Sequence, residues 1–304
     1  MTSAAAPRIS VCTPTHNRAA TLPRLHESLC AQTFRDFEWL VIDDGSTDET
    51  PEMITALAAR SPFAVRYFRQ ENAGKHIALN RASRECRSSF IAILDSDDWY
   101  LPNCLERLVY HWDRLPNPSR YAEVQGLCAD EHGTVLGDKY PTDIFDADYY
   151  EMTQIYRLHG DRAGMIRADV LRAHPFPEEF PSTVYVPEAI VLNRIALNYL
   201  IRGFNEVIGH KEYLPGGITR GRRHRHAEAS GPRLLQLEEL LAMAKTRPLP
   251  ANVRFKAYAN LSRYGLHEGR RPWTQARSAP SPALWLATFP LGVALYVRDR
   301  IRSL

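Results

Sequence analysis

The chain has 304 residues, 44% hydrophobic and 24% charged, a make-up that excludes a disordered or fibrous protein and suits one large domain or two ordinary ones. Its 38 Lys and Arg against 35 Asp and Glu leave a formal +3, yet nine basic and two acidic side chains fall from Arg254 onward, so a slightly acidic body carries a basic tail. Such a split argues against nucleic acid as a partner, since a reading surface carries its charge on the fold itself, and it suits anionic lipid or a phosphorylated partner.

Five cysteines, Cys12, Cys30, Cys86, Cys104 and Cys128, are odd in number, widely spaced and without a CxxC pair. That excludes a zinc ribbon and argues against a disulfide scaffold, so reduced thiols in a cytoplasmic protein are expected. Met1 to Arg8 holds no apolar run of a secretory signal, and no stretch reaches the ~20 apolar residues of a spanning helix.

The first 115 residues alternate short apolar runs with helical patterns, the sign of βα units on a parallel sheet. Ile9-Ser10-Val11-Cys12 reads as a strand, and Thr21 as the cap of a helix with Leu22, Leu25 and Leu29 on one face. Trp39-Leu40-Val41-Ile42 is an unbroken apolar strand, as expected when both sheet faces are covered. Ser46 and Glu49 form a capping-box pattern ahead of a helix carrying Ile54 and Leu57. Val65 to Phe68 is a third strand, followed by the turn Asn72-Ala73-Gly74 and a helix through Arg84. Phe90 to Leu94 is a fourth strand that runs directly into Asp95.

Beyond residue 120 the pattern changes. Val124 to Ala129 and Thr134 to Leu136 flank Glu131-His132-Gly133 as an antiparallel hairpin, and Met165-Ile166-Arg167 reads as a strand. Pro187 opens a helix expected through Arg202. Residues 215–233 read as a Gly- and Arg-rich mobile loop, 234–245 and 251–264 as helices, and 268–283 as a linker. The organisation expected is a nucleotide-binding half over 1–120, an acceptor-binding half over 121–232 and a helical extension over 233–304.

Three polar clusters end successive predicted strands: Thr13-Pro14-Thr15-His16-Asn17-Arg18, Asp43-Asp44-Gly45-Ser46-Thr47-Asp48, and Asp95-Ser96-Asp97-Asp98. In an open α/β sheet ligands bind along that edge, so the clusters converge on one crevice. Taken singly each has a local explanation, a helix cap for Asp95 or Asp98 and a turn for Asp43-Asp44-Gly45. Taken together they suit a nucleoside diphosphate. Two carboxylates one residue apart present oxygen ligands to one divalent cation, which can bridge a pyrophosphate. Asp43 and Asp44 offer acceptors to a base or ribose, and Arg18, Lys75 and His76 can offset phosphate charge.

These segments resemble glycosyltransferase family 2, enzymes of the GT-A fold that transfer sugars from nucleotide-sugars. The family's PTYNR-like segment is Pro14-Thr15-His16-Asn17-Arg18, and its VIDDGSTDxT is Val41 to Thr50. Its NxGxxxARN-like turn and helix start is Asn72 to Asn80, and its DxDD is Asp95-Ser96-Asp97-Asp98. The match covers about residues 8–115. The resemblance implies that Thr13, Thr15, Asn17, Arg18, Asp44, Asn72, Lys75, Asp95 and Ser96 hold a nucleotide-sugar, UDP-linked by preference. It implies Asp97 and Asp95 as ligands of a divalent metal, Mn2+ or Mg2+. Pro187-Glu188-Ala189 is similar to the segment where the family keeps its catalytic base, which implies Glu188, with a plain first-turn glutamate as the competing account. Relatives place a metal-binding His in the late loop, where this chain offers His210, His224 and His226. Arg220, Arg222, Arg223 and Arg225 suit a closing loop over the diphosphate or a solvated charge run.

The function expected is a metal-dependent, inverting transfer to a saccharide or lipid-linked saccharide in cell-surface glycan synthesis. A haloacid-dehalogenase-like phosphatase needs its DxD on the first strand, and a nucleotidyltransferase needs a glycine in the first loop; neither condition is met. A non-catalytic nucleotide-sugar-binding scaffold is the alternative. Finally, Leu284 to Val297 is apolar and aromatic, interrupted by Pro290 and followed by Arg298, Arg300 and Arg302. Too short to span, it is expected to lie at the inner face of the cell membrane with Trp285 and Tyr296 at headgroup level, the rival being packing on the body or a second subunit.

Overall fold

A computed structural model describes residues 6–212 and 229–302. The first half builds β1 (Ile9–Thr15), α1 (Leu22–Cys30), β2 (Phe37–Asp43), α2 (Thr50–Ala59), β3 (Ala64–Arg69), α3 (Lys75–Glu85) and β4 (Phe90–Ile93) in strict alternation. Strands β1 to β4 pair in parallel in the order β3-β2-β1-β4, with Val11 opposite Trp39 on one side and Ala92 on the other. Because they are parallel, Thr15, Asp43 and Asp95 emerge on one edge, which is the crevice expected from the sequence. The core lies on both faces. Leu22, Leu25, Leu29, Ile54 and Leu57 pack on Val11, Trp39 and Val41, while Ala78, Leu79 and Ala82 pack on Cys12, Leu40 and Ile42 from the other side.

The helix starts differ in detail from their signatures. Thr21 sits ahead of α1 without capping it and donates its hydroxyl to Arg18 O instead. No capping box forms at α2: Ser46 Oγ takes the Asn17 amide, and Asp48 Oδ1 takes the Thr50 amide at 3.0 Å. The loop's tie to the β1 turn outcompetes the local cap.

The second half extends the same sheet. After β5 (Trp99–Tyr100) and α4 (Cys104–Trp112), β6 (Tyr121–Ala129) pairs antiparallel with β8 (Arg162–Arg167) and parallel with β9 (Leu200–His210). Strand β7 (Ile144–Ala147) also pairs with β9. The expected hairpin is reduced to a turn with one bridge, Ala129 to Val135, since β6 makes its ladders with these distant strands. The helix expected from Pro187 to Arg202 is shorter. After the short α5 (Ala168–Ala173), α6 (Ala189–Ile195) ends before Leu197, which is 61% exposed, and the chain turns into β9. Long-range pairing with β6 satisfies that backbone better than a further helical turn. Four of the five cysteines are buried and all are free thiols.

The C-terminal region forms α7 (Ser230–Met243), α8 (Ala251–His267), α9 (Pro272–Ser278) and α10 (Pro282–Arg302) around a separate cluster that includes Leu241, Tyr258, Leu261 and Trp285. The expected linker thus contains a helix, and the apolar tail is one helix through Pro290, which faces solvent. Helix α10 lies against α8 so closely that a Cβ on Gly292 would stand 2.5 Å from Ser262 Cβ. Trp285 is 3% exposed and stacks near Phe289, and Tyr296 meets the His267 ring edge. Of the two aromatic residues expected at a membrane surface, Trp285 is therefore inside the protein and Tyr296 is half-buried against α8. No helix among the described residues is long and apolar enough to cross a membrane.

Candidate active site

At the end of β2, Asp43 is fully buried and spends its carboxylate on the turn, taking Ser46 N–H at 2.8 Å and Tyr67 O–H at 2.7 Å. Asp44 points the other way. Its oxygens accept the amides of Ala73 and Gly74 at 2.9 and 2.7 Å and the Gln70 side chain at 2.8 Å. This welds the Asn72-Ala73-Gly74 turn to the β2 end and leaves one lone-pair direction for a ligand. Gly45 lies at φ 79° with Asn72 N 2.8 Å from any Cβ it might carry, so only glycine closes that turn.

Asn17 adopts φ 53°, a left-handed conformation that asparagine tolerates, and its Oδ1 accepts the Thr47 amide at 2.8 Å. The loops after β1 and β2 are thereby one unit. Thr13 is turned inward, where its hydroxyl accepts the Trp39 indole N–H at 3.0 Å. Thr15 is different. Its hydroxyl is buried with no partner among the described residues, at the wall of the crevice.

The β4 end carries the densest charge. Lys75, at the start of α3, places Nζ 2.7 Å from Asp95 and 3.2 Å from Glu188, so one ammonium joins the first half of the chain to the second. Lys211, just past β9, lies 2.6 Å from Asp98 and 3.7 Å from Asp95. Burial opposes ionisation of Asp95, but the two lysines outweigh it and hold its carboxyl well below the ordinary range. Lys75 likewise stays charged against burial because Asp95 and Glu188 face it. Asp97 has no lysine of its own; burial, then Asp95, push its carboxyl up. Arg24 donates to the Asp97 carbonyl at 2.8 Å and pairs with Glu212, bracing the outer side of the turn.

The strand-end loops face one cavity of about 910 Å³, whose wall includes Thr15, Asn17, Arg18, Asp44, Asn72 and Lys75. Asp95, Ser96, Asp97, Glu188 and Lys211 line it too. Of the residues expected to hold a nucleotide-sugar, Thr13 alone stays outside it. Glu188 stands at the start of α6 but caps nothing there, its carboxylate reaching across to Lys75.

A sequence model of the family described as Glycosyl transferase family 2 matches residues 10–168, just over half of the chain. The chain belongs to glycosyl transferase family 2. It is 38% identical over 212 residues to chondroitin synthase of Escherichia coli, an alignment covering 66% of this chain and 30% of that protein. It is 36% identical over 102 residues to an uncharacterized glycosyltransferase of Nostoc sp., covering 34% and 32%. The chain thus matches about a third of the length of these relatives. Among solved structures, S. aureus TarS 1-349 in complex with UDP-GlcNAc aligns with a TM-score of 0.59 over 97% of this chain and 88% of that one, at 17% identity. The mannosyltransferase PcManGT from Pyrobaculum calidifontis, in complex with GDP-Man and Mn2+, aligns with 0.56 over 98% and 83%, at 20% identity. Both likenesses support the GT-A fold for this family 2 chain.

The residues present suit the divalent cation that the family implies. Asp97 offers a carboxylate without a side-chain partner among the described residues, and Asp95 stands next to it with two ammonium groups attached. No group of three or more His, Cys, Asp or Glu is arranged to hold a metal among the described residues. Two carboxylates still suffice where phosphate oxygens and water complete the shell. His210 is turned away, with Nδ1 2.8 Å from the Asp130 carbonyl and its ring stacked on Trp99. His224 and His226, with Arg220, Arg222, Arg223 and Arg225, lie outside the described residues. Sequence reasoning missed Lys211 and Arg24. Each is a lone basic residue in no motif, and tertiary pairing is what brings it to the DxDD turn.

Proposed function

We propose that this chain is a metal-dependent, inverting glycosyltransferase that moves a sugar from a UDP-linked donor to a saccharide or lipid-linked saccharide in cell-surface polysaccharide synthesis. The observation that carries the reading is the Lys75 bridge: it sets the donor-side Asp95 and the acceptor-side Glu188 on either side of one cation. The unpartnered Thr15 hydroxyl adds a polar group waiting for a ligand in the same cavity. The complexes of TarS with UDP-GlcNAc and with UDP support the choice of base, and chondroitin synthase supports a polysaccharide product.

In this reading Thr15, Asn17, Asp44 and Asn72 seat the base and ribose, and Arg18 and Lys75 meet the diphosphate. A divalent cation held by Asp97 and Asp95 would supply positive charge to the departing diphosphate. Glu188 Oε1 accepts the proton of the acceptor hydroxyl as that oxygen attacks the anomeric carbon and the bond to the diphosphate breaks. Lys75 holds Glu188 aimed into the cavity before the acceptor arrives. Residues 121–232 supply the acceptor side. The exposed Leu286, Leu291 and Ile301 on α10, with Arg298 and Arg302, support a peripheral contact with anionic lipid at the inner face of the membrane. Transfer from UDP-sugars to a defined oligosaccharide panel, with and without Mn2+, tests the activity. Absence of both transfer and donor hydrolysis in the presence of nucleotide binding would leave a binding protein instead of an enzyme.

A further inference from the structure

The cavity continues past Glu188 into the second half of the sheet, where Glu123 and Gln125 of β6, Gly164 of β8, and Tyr149 and Met152 line it. Glu123 is anomalous there. Among the described residues its carboxylate accepts no hydrogen bond and joins no ion pair. It is half-buried at the cavity wall, so this carboxyl is open to a ligand instead of being spent on the protein. A Cβ on Gly164 would collide with Glu123 Oε1, the movable end of a flexible side chain, so an alanine there would push the carboxyl aside. Burial, with Glu188 adding repulsion, pushes the Glu123 carboxyl up to about 8. Near neutral pH it therefore carries a proton and can donate as well as accept.

The neighbouring wall offers the complementary surface. Tyr149 presents a half-buried ring, and the Gln125 side chain, which bonds Tyr140, has its amide 3.8 Å from Met152 Sδ. Aromatic faces with a few convergent polar groups are the make-up of a small-molecule subsite. A pyranose meets both demands, with an apolar C–H face for the ring and hydroxyls at its rim for the carboxyl and amide. A uronate would bring its charge against Glu188.

We propose that Glu123, with Gln125 and Tyr149, forms the seat of a neutral pyranose ring beside Glu188, Glu123 bonding one of its hydroxyl or amide groups. The proposal rests on the glycosyltransferase reading and names a sugar contact that the reading lacks. The donor and the terminal residue of the acceptor each carry such a ring, and the chemistry recognised is the same.

The test compares the full-length protein with Glu123→Gln, Glu123→Ala and Gly164→Ala. Calorimetry with UDP and with UDP-GlcNAc in Mn2+ reads the donor sugar, and saturation-transfer NMR with cellobiose and N,N′-diacetylchitobiose reads a free saccharide. A seat for the donor sugar predicts that Glu123→Ala and Gly164→Ala lose about tenfold in affinity for UDP-GlcNAc and none for UDP, one hydrogen bond's worth. A seat for the acceptor sugar predicts that both variants lose the saccharide signal with nucleotide affinities intact. Glu123→Gln keeps an amide donor and should fall between wild type and Glu123→Ala. Thermal melting guards against misfolding: since Glu123 has no hydrogen-bond or ion-pair partner among the described residues, Glu123→Gln should melt no lower than wild type. Unchanged sugar affinity and unchanged saccharide signal in all three variants would overturn the seat. If wild type binds neither UDP nor UDP-GlcNAc, the donor reading fails, and the saccharide arm still judges Glu123.

Discussion

Asp44, Asp97 and Glu188 are all carboxylates of the crevice, yet their surroundings give them different work. Asp44 is consumed by three donors, so Asp44→Ala should loosen the Asn72 turn and lower stability by about 2–3 kcal/mol, readable by chemical denaturation. Asp97 has no such partners. Asp97→Asn keeps the shape and removes a charged oxygen ligand, so affinity for UDP in Mn2+ should fall at least about tenfold by calorimetry, while UDP alone in EDTA should bind as to wild type. Equal Mn2+-supported affinity in the variant would remove Asp97 from the metal site. Glu188→Gln should lower transfer by about 10²–10⁴-fold yet keep UDP-sugar affinity, because a base matters to the transition state and not to donor binding. Normal turnover would move the base to another carboxylate of the cavity wall, with Asp161 the next to test.

Helix α10 shows what an element adds beyond its residues. Read alone, Leu284 to Val297 with three arginines after it is a membrane-surface pattern. In the fold, Asp299 accepts both Nε and Nη2 of Arg263 at 2.5 and 2.8 Å and lies 3.2 Å from His267, with Arg298 farther off at 3.7 Å. Asp299 and Arg263 are each under a tenth exposed. Burial alone would raise the Asp299 carboxyl, but bonds from Arg263 and then His267 leave it below the ordinary value. The folded state thus binds fewer protons than the unfolded one, so this stability is complete above about pH 4 and is lost as pH falls further. Asp299→Ala strands Arg263 and should cost about 3–5 kcal/mol, with α10 exchanging its amides before the sheet does. Protection of α10 equal to wild type would refute the lock. The outer face is a separate matter. Deleting residues 284–304 should release the protein from anionic liposomes; if the intact chain does not sediment with them at low salt, the contact is absent.

At the scale of the molecule, the strand-end crevice predicts that nucleotides stabilise the whole fold, since ligand binding to the native state shifts unfolding by mass action. UDP with Mn2+ at a hundred times its Kd should add about 2.7 kcal/mol and raise the melting temperature, and a guanosine or cytidine diphosphate preference in the same screen would replace uridine in the donor assignment. The βα alternation through residue 94, the parallel sheet and the three polar strand ends were legible in the sequence, because apolar periodicity and local turn chemistry act over a few residues. Asp95, Asp97 and the Asn72 turn stand where those patterns put them. Other placements escaped it. Thr13 and Thr15 are two apart on one strand, yet one bonds Trp39 in the core and the other opens on the crevice, a difference set by what packs beside them. Residues 196–202 were helical by pattern and became the entry to β9 because β6 lay waiting to pair. Lys211 reached Asp95 and Asp98 by that same pairing, across 113 residues from Asp98. Local order needs only neighbours in sequence; the charge balance of the site and the seat around Glu123 depend on strands that meet only once the chain has folded.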